Sequence, residues 1–366
     1  MPQERQHYVP QVYLKSWEGP VRSLSDRNTV FNGVYIFDKK DISVGDGRTR
    51  KKILFEENLY TIDFSNRFIG GRNPEIARDF AKQTLDLINT KNVYACYSGL
   101  ALSSEDIIMQ HFDKLDEWRF VHNENGILND VEIISEIKAQ KSYVIESTFD
   151  KYVENVWTST LNDFLSFADS LPYGHGQIEY RYPSDEMPIK MLEMFVYMHS
   201  RNPRFDMLGL LPLAMDVILR PLFEKNEDGE RYTAEMERNL WLSEIYKGLK
   251  KQSSGFFHSF LTNAYNHLGF VLFKIVDEEE GCFITSDNPA FTYASSVTAT
   301  NSNGMYFPLS PNYLLFIGKN TTDGTTIAET LIRTIKNKDI RYFNRMIYTS
   351  ATKSIISNKK HLGYIM

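Results

Sequence analysis

The spacing of apolar residues divides the chain into three parts. Short apolar runs separated by turn-forming residues predict an antiparallel meander over about residues 30–65. Apolar residues at helical spacing then predict a large helical region over about residues 73–267. Further β-prone runs predict strands over about residues 268–357. We therefore expect an α+β fold, in which antiparallel strands from both termini pack with a helical middle in one domain over residues 1–366.

The helical middle contains several predicted helices. One begins at Pro74, a second covers residues 107–120, and a third covers about residues 129–170. A methionine-rich helix begins at Pro188 and is expected to break at Asn202, because the residue before a proline is driven out of the α region. The break leaves polar residues at the end of a buried helix.

The C-terminal part is predicted to contain a hairpin and a long helix. Residues 269–276 form the clearest buried strand, and residues 282–285 are expected to return against it after an acidic turn. The returning strand ends in the polar residues 286–289, where a rigid scaffold would present a carboxylate and an amide. A helix is expected over about residues 326–349, followed by a last strand at 354–357.

Composition and charge exclude some classes of protein. The chain has 42% hydrophobic and 24% charged residues, which is ordinary for a globular protein. A net charge of −6 argues against a surface that binds nucleic acid non-specifically, while a local basic cleft stays open. Cys96 and Cys282 have no metal-ligand spacing and are expected to be reduced thiols. Without a signal-peptide pattern or a long apolar run, we expect a soluble cytoplasmic protein that does not enter a membrane.

Three polar clusters that lie far apart in sequence form the candidate site. His7 precedes a short N-terminal helix, Arg201 and Arg204 flank the helix break, and Asp287 and Asn288 follow the predicted strand. Two guanidinium groups at a helix break suit a phosphate or a carboxylate, although ordinary salt bridges explain them equally well. We expect the three clusters to meet in one pocket.

Several motifs in a fixed order resemble those of one bacterial family, DUF4238, a domain of unknown function. The matching segments are HYVPQVYLKSW at 7–17, VYIFDK at 34–39, NLY at 58–60, RNPRF at 201–205, TSDNP at 285–289, FPLSP at 307–311 and Asn344. Trp17 stands where the family usually has Phe. The resemblance implies that His7, Arg201, Asp287 and Asn288 match motif positions. It brings no established chemistry, and it hints at a bacterial defence effector.

The first functional hypothesis is a hydrolase that cuts phosphodiester bonds in nucleic acid or a nucleotide. His7 would be the general acid or base, Arg201 would stabilise developing negative charge, and Asp287 would orient the histidine or hold a divalent ion. The expected substrate-binding residues are Gln11, Asn288 and Arg204. A divalent ion such as Mg²⁺ would need further oxygen ligands, for which Glu146 is a candidate.

Two other hypotheses stay open. The same polar groups would also suit a non-catalytic module that binds a small anionic or nucleotide ligand. In a purely structural role, residues 287–289 would cap a turn while the histidine and arginine satisfy buried carbonyls. Glu146, Asp150 and Glu154, which lie at i, i+4 and i+8, form either a metal or acid–base array or a solvated helix face. The oligomeric state cannot be predicted from these patterns.

Overall fold

The computed structural model of the protein describes residues 5–26, 28–57, 59–60, 74–122, 126–127, 130–171, 177–181, 184, 186–203, 238, 241–251, 253, 256–276, 281–293, 304–318, 329–363 and 366. These residues fall into two compact units. Unit 1 takes its described residues from Met1–Gln6, Glu57–Tyr152 and Asp206–Phe257. Unit 2 takes its described residues from His7–Glu56, Val153–Phe205 and His258–Met366.

The strands, in chain order, are β1 (Arg5–His7), β2 (Gly19–Val21), β3 (Phe31–Asp38), β4 (Asp41–Arg48), β5 (Phe55–Glu57), β6 (Val93–Tyr97), β7 (Leu100–Ala101), β8 (Arg119–His122), β9 (Gly126–Ile127), β10 (Gln177–Arg181), β11 (Gly269–Ile275), β12 (Thr285–Ser286), β13 (Phe291–Tyr293), β14 (Gly304–Ser310), β15 (Tyr313–Gly318), β16 (Glu329–Ile335) and β17 (Ser354–Ser357).

The helices are α1 (Gln11–Leu14), α2 (Pro74–Thr90), α3 (Glu105–Gln110), α4 (Asp130–Phe149), α5 (Asn155–Asp169), α6 (Glu186–Ser200), α7 (Phe256–His267) and α8 (Asn337–Ser350). Residues 241–249 are also helical. Short 3₁₀ segments cover Lys15–Trp17, Arg50–Lys52 and Phe112–Glu117, and a π-helical turn covers Asp150–Glu154. The fold is α+β, with antiparallel sheets from both terminal regions and a helical middle, as predicted. A single domain over residues 1–366 stays a prediction.

Two sheets organise unit 2. The first has the strand order β10–β16–β11–β15–β14–β13, in which β11 and β16 are parallel and the other neighbours are antiparallel. The second has the order β12–β17–β3–β2, with β4 also paired to β3. In this second sheet, residues 35–38 of β3, from the N-terminal region, pair with β17 from the C-terminal region. The two ends of the chain therefore share one sheet.

A buried amide on α8 fixes the segment that leads into β12. Asn344 is fully buried. Its Oδ1 accepts a hydrogen bond from the amide of Ile284 at 3.1 Å, and its Nδ2 donates to the carbonyl of Cys282 at 3.0 Å. The side chain of Asn344 therefore satisfies one main-chain donor, the amide of Ile284, and one main-chain acceptor, the carbonyl of Cys282. These two groups need no partner on a neighbouring strand.

Aromatic rings anchor α1 in unit 2. Tyr13 stacks on Phe307 with ring centroids 5.6 Å apart and contacts Trp17 and Trp157. Its hydroxyl lies 2.6 Å from Oγ1 of Thr285 and donates to the carbonyl of Pro308 at 2.8 Å. Burial raises the pKa of Tyr13 well above its usual value, so the hydroxyl stays protonated and can donate.

Helices surround a small sheet in unit 1. That sheet has the strand order β7–β6–β8–β9. Phe80 of α2 packs against Phe112, with ring centroids 4.6 Å apart, and Phe112 stacks on Trp118. Lys91 Nζ and Glu136 Oε1 are 2.6 Å apart and join the end of α2 to α4. Ser104 caps α3 by accepting a hydrogen bond from the amide of Ile107.

Three local predictions are wrong. Residues 282–285 do not return against residues 269–276, because β11 pairs with β15 and β16 while β12 pairs with β17. The helix expected from residue 326 begins only at Asn337, and Glu329–Ile335 is the strand β16. The helix over residues 107–120 ends at Gln110 and gives way to a 3₁₀ segment and then to β8. In each case a partner distant in sequence decides the local structure.

Among the helices that the structure describes, none is both long enough and apolar enough to cross a membrane.

Strand β4 closely approaches the main chain of Arg22, the residue after β2. The amide of Gly47 donates to the carbonyl of Arg22 at 3.1 Å, and a Cβ on Gly47 would lie 2.5 Å from that same oxygen. Gly47→Ala should therefore lower the free energy of unfolding by about 1–3 kcal/mol, because main-chain atoms cannot move aside cheaply. Urea unfolding measures this change.

Gly19→Ala is the matched control for that experiment. A Cβ on Gly19 meets nothing within 4 Å, so the substitution should change the free energy of unfolding by about 0.5 kcal/mol or less. Equal urea midpoints for the two variants would contradict the close approach of Gly47 to the main chain of Arg22.

Candidate functional site

The site is built around the end of α6. Pro203 excludes Asn202 from the α-helical region, and α6 ends at Ser200, close to the predicted break. Arg201 and Asn202 are nevertheless buried, with exposed fractions of 1% and 5%. Two polar side chains at a helix end in the interior must find partners, because a buried polar group without one is costly.

The guanidinium of Arg201 joins two other segments of unit 2. One terminal nitrogen donates to Glu154 Oε1 at 2.9 Å, and the other donates to the main-chain carbonyl of His7 at 2.6 Å. Glu154 ends the π-helical turn and keeps 22% of its side chain exposed. Removing one partner of a buried ion pair leaves the other charge without compensation, so the three residues depend on each other.

The imidazole of His7 is held neutral beside this ion pair. Burial is the largest cause that lowers its pKa below the usual 6.5, and the positive charge of Arg201 lowers it further. The charge of Glu154 and hydrogen bonding to the main chain of Lys51 and Arg50 raise the pKa by less. The imidazole is therefore neutral at pH 7, the form that can accept a proton.

The two ring nitrogens of His7 have different surroundings. Nε2 is buried and has no hydrogen-bond partner among the described residues. Nε2 is therefore the ring atom at which a group outside these residues can form a hydrogen bond. Phe55 packs edge-on against the ring at 5.8 Å between centroids.

Asn202 connects the helix end to the polar segment after β12. Its Nδ2 donates to the carbonyl of Asp287 at 3.0 Å and to Oδ1 of Asn288 at 3.3 Å. Asn288 in turn donates from Nδ2 to the carbonyl of Ser350 at 3.1 Å, and its amide donates to Oγ of Ser286. The neighbouring residues Arg201 and Asn202 thus reach two different parts of the predicted site.

The carboxylate of Asp287 is occupied by main-chain amides. Oδ1 accepts from the amide of Thr352 at 2.8 Å, and Oδ2 accepts from the amides of Lys353 and Ser354 at 2.7 and 3.2 Å. The residue is only 3% exposed. This arrangement anchors the segment before β17, and it resembles a cap more than a reactive carboxylate.

The structure brings together the segments that the sequence predicted to converge. Arg201 contacts His7 directly, and it reaches Asp287 and Asn288 through its neighbour Asn202. The carbonyl of Gln11 accepts a hydrogen bond from Arg50, whose own main chain bonds the ring of His7. Arg204 lies outside the described residues. The catalytic and binding roles assigned to these residues stay predictions.

Two contributors to the site were not recognised in the sequence. Glu154 was noted only as one member of an acidic helical array, and Asn202 only as the residue before a proline. The acidic spacing gave a signal for Glu154, but nothing in the sequence distinguished it from Glu146. Among the described residues, no group of three or more His, Cys, Asp and Glu side chains is arranged to hold a metal ion.

Comparison with known proteins gives one match. A family model described as "Protein of unknown function (DUF4238)" matches residues 5–361, nearly the whole chain, and confirms the resemblance seen in the motifs. No curated protein and no solved structure matches the chain.

Replacement of Asp287 tests the role that its surroundings indicate. Asp287→Ala leaves three main-chain amides without an acceptor, and we expect it to lower the free energy of unfolding by about 2–4 kcal/mol. Asp287→Asn, which keeps one acceptor oxygen, should lose less. Chemical denaturation measures both changes.

Asp38→Ala is the control. Asp38 is exposed and accepts one amide bond from Lys40, so its loss should cost about 1 kcal/mol or less. A stable Asp287→Ala variant would show that the carboxylate is not an anchor and would favour a chemical role instead.

Proposed function

The chain belongs to the DUF4238 family, and from that premise we propose that it is a hydrolase of phosphodiester bonds in nucleic acid or nucleotides. His7 is the general base in this proposal and removes a proton from the attacking water. Nucleic acids and nucleotides are abundant in the cytoplasm, where we propose that the protein acts.

The observation that carries the proposal is Nε2 of His7, which is buried and has no hydrogen-bond partner among the described residues. Such an atom costs about 1–3 kcal/mol unless another group supplies a bond, and in this proposal Nε2 carries the lone pair that accepts one. The lowered pKa keeps the ring neutral at pH 7, as a general base requires. A water molecule donating to Nε2 would be the nucleophile for hydrolysis.

Arg201 and Glu154 act as positioning residues in this scheme. Both terminal nitrogens of Arg201 are already committed, one to Glu154 and one to the carbonyl of His7. A guanidinium in these bonds orients the histidine main chain and has little capacity left to bind a phosphate. The sequence suggested that Arg201 stabilises the transition state. In the present proposal Arg201 instead positions His7 and does not touch the substrate.

The surroundings of His7 support an anionic substrate. The main chain of Arg50 and Lys51 bonds the imidazole, and Lys51 and Lys52 are exposed cations in the same 3₁₀ segment. Exposed cations raise the local concentration of anions such as phosphate esters. The positive segment stands out because the whole chain carries a net charge of −6.

The pH dependence of hydrolysis tests the role of His7. The neutral ring is the active form and its population rises with pH, so kcat/KM on a chromogenic phosphodiester should rise through a midpoint below pH 6.5. Glu154→Gln removes a charge that raises the pKa, and it should move the midpoint to lower pH still. His7→Gln should abolish the activity, with its folding checked by circular dichroism.

Glu56→Gln is the control for the charge effect. Glu56 is exposed and is not among the groups that shift the pKa of His7, so the midpoint should not move. A midpoint above pH 6.5, or full activity in His7→Gln, would exclude His7 as the base.

A second candidate function is a non-catalytic module that binds a small anionic or nucleotide ligand. It is supported by the bonding of the site side chains: Arg201 and Asp287 both have structural partners, and among the described site residues Nε2 of His7 is the buried atom without one. Binding without turnover needs a ligand acceptor or donor at Nε2 but no further catalytic groups.

One comparison separates the two candidates. RNA, DNA and nucleotides are incubated with the protein in Mg²⁺, in Mn²⁺ and in EDTA, and the melting temperature is measured with each nucleotide. Hydrolysis that depends on His7 supports the enzyme. A raised melting temperature without hydrolysis under any of these conditions supports the binding module.

A further inference from the structure

We propose that Lys15, Lys51 and Lys52 form a cationic surface that binds the phosphodiester backbone of a single-stranded nucleic acid next to His7. The proposal rests on the proposed function, since it takes the substrate to be a phosphodiester, and it narrows that substrate from nucleotides to a polynucleotide strand. We call these three residues the lysine surface.

Arg50 holds the two segments of the lysine surface together. Its guanidinium donates to the carbonyl of Gln11 at 2.6 Å and to the carboxylate of Glu18. Gln11 begins α1, and Glu18 directly follows the 3₁₀ segment that carries Lys15. Arg50 therefore ties the stretch that carries Lys15 to the segment that carries Lys51 and Lys52.

The charges of the lysine surface are not neutralised locally. All three lysines are exposed, and none lies within salt-bridge distance of a carboxylate among the described residues. Glu18 and Asp46 are paired with Arg50 and Arg48 respectively. Those two arginines therefore neutralise two carboxylates, and the three lysines keep their charges available to an anion.

The position of the lysine surface connects it to His7. The ring of His7 packs edge-on against Phe55 at 5.8 Å between centroids, and Phe55 lies three residues after Lys52. An anion bound by Lys51 or Lys52 is therefore delivered close to His7. Tyr8 strengthens this connection, because its amide donates to the carbonyl of Leu54 at 3.1 Å.

The distribution of the charges favours a strand over a nucleotide. A lysine binds phosphate as a point charge, and cations on two separate segments suit successive phosphates better than one. Because Nε2 of His7 is buried, a phosphate must bend inwards to reach it. A flexible single strand can do so, whereas a duplex is stiff over about 150 base pairs.

Fluorescence anisotropy with the full chain tests the proposal. The probe is a labelled single-stranded DNA 20-mer with phosphorothioate linkages, which resist hydrolysis and make binding independent of catalysis. We expect Lys51→Ala/Lys52→Ala to weaken binding about tenfold or more, and to reduce the slope of log K against log salt by about 2. Lys15→Ala should reduce that slope by about 1.

Lys338→Ala/Lys360→Ala is the matched control. Both residues are exposed lysines of unit 2 outside the lysine surface, so the variant loses the same charge and should bind like the parent protein. Equal weakening in both double variants would overturn the proposal, because it would show a general charge effect. Failure of the parent protein to bind the 20-mer would also overturn it.

Competition identifies the ligand class. Unlabelled single-stranded DNA should displace the probe at far lower concentration than a mononucleotide, a duplex of the same length or polyglutamate. If any of these three competes equally well, the assignment to a single strand is wrong. We expect His7→Gln to lose hydrolysis and to bind the probe as the parent protein does. Binding and hydrolysis are measured separately, so failure of the lysine surface and failure of the proposed hydrolase activity can be told apart.

Discussion

The buried guanidinium of Arg201 is the constraint on which this site depends. With 1% of its surface exposed, it must replace its lost hydration with fixed partners, and it does so with the carboxylate of Glu154 and the carbonyl of His7. These partners come from the π-helical turn and from β1. The charge therefore locks the N-terminal segment of unit 2 to the end of α6, and the position of the imidazole follows from that lock.

The polar residues of the site divide into those that hold the structure and one that is free. Arg201, Asn202 and Asp287 spend their hydrogen-bonding capacity on main-chain groups and on Glu154. Nε2 of His7 alone among the predicted site atoms is buried without a partner in the described part of the chain. A motif rich in polar residues is thus compatible with a single reactive group. The other polar side chains hold the structure in which that group is positioned.

The sequence predicted which segments meet but not how they bond. Polar residues in an otherwise apolar neighbourhood, such as Arg201 at the end of a buried helix, were enough to locate the site, because such residues need partners. The identity of the partners was beyond reach, since Glu154 and Glu146 occupy equivalent positions in a helical pattern. Only the π-helical turn and the fold decide which of them meets the arginine.

The same limit explains the errors in secondary structure. The run Glu329–Ile335 fits a helix and a strand, and it became a strand because β10 and β11 flank it on both sides. Strand β11 was recognised from its apolar residues, yet its neighbours lie some tens of residues further along the chain, not in the adjacent hairpin. Asn344 shows how a single side chain can replace the expected neighbour of residues 282–284.

The pairing of β3 with β17 has a consequence for biosynthesis. During translation, β3 emerges from the ribosome long before β17 (residues 354–357). Strand β17 lies between β3 and β12 in the finished sheet. For most of synthesis one side of β3 must therefore remain without its partner. An unpaired strand edge of this kind is a site for incorrect association. Until β17 is synthesised, this edge of β3 is therefore open to pairing with other chains.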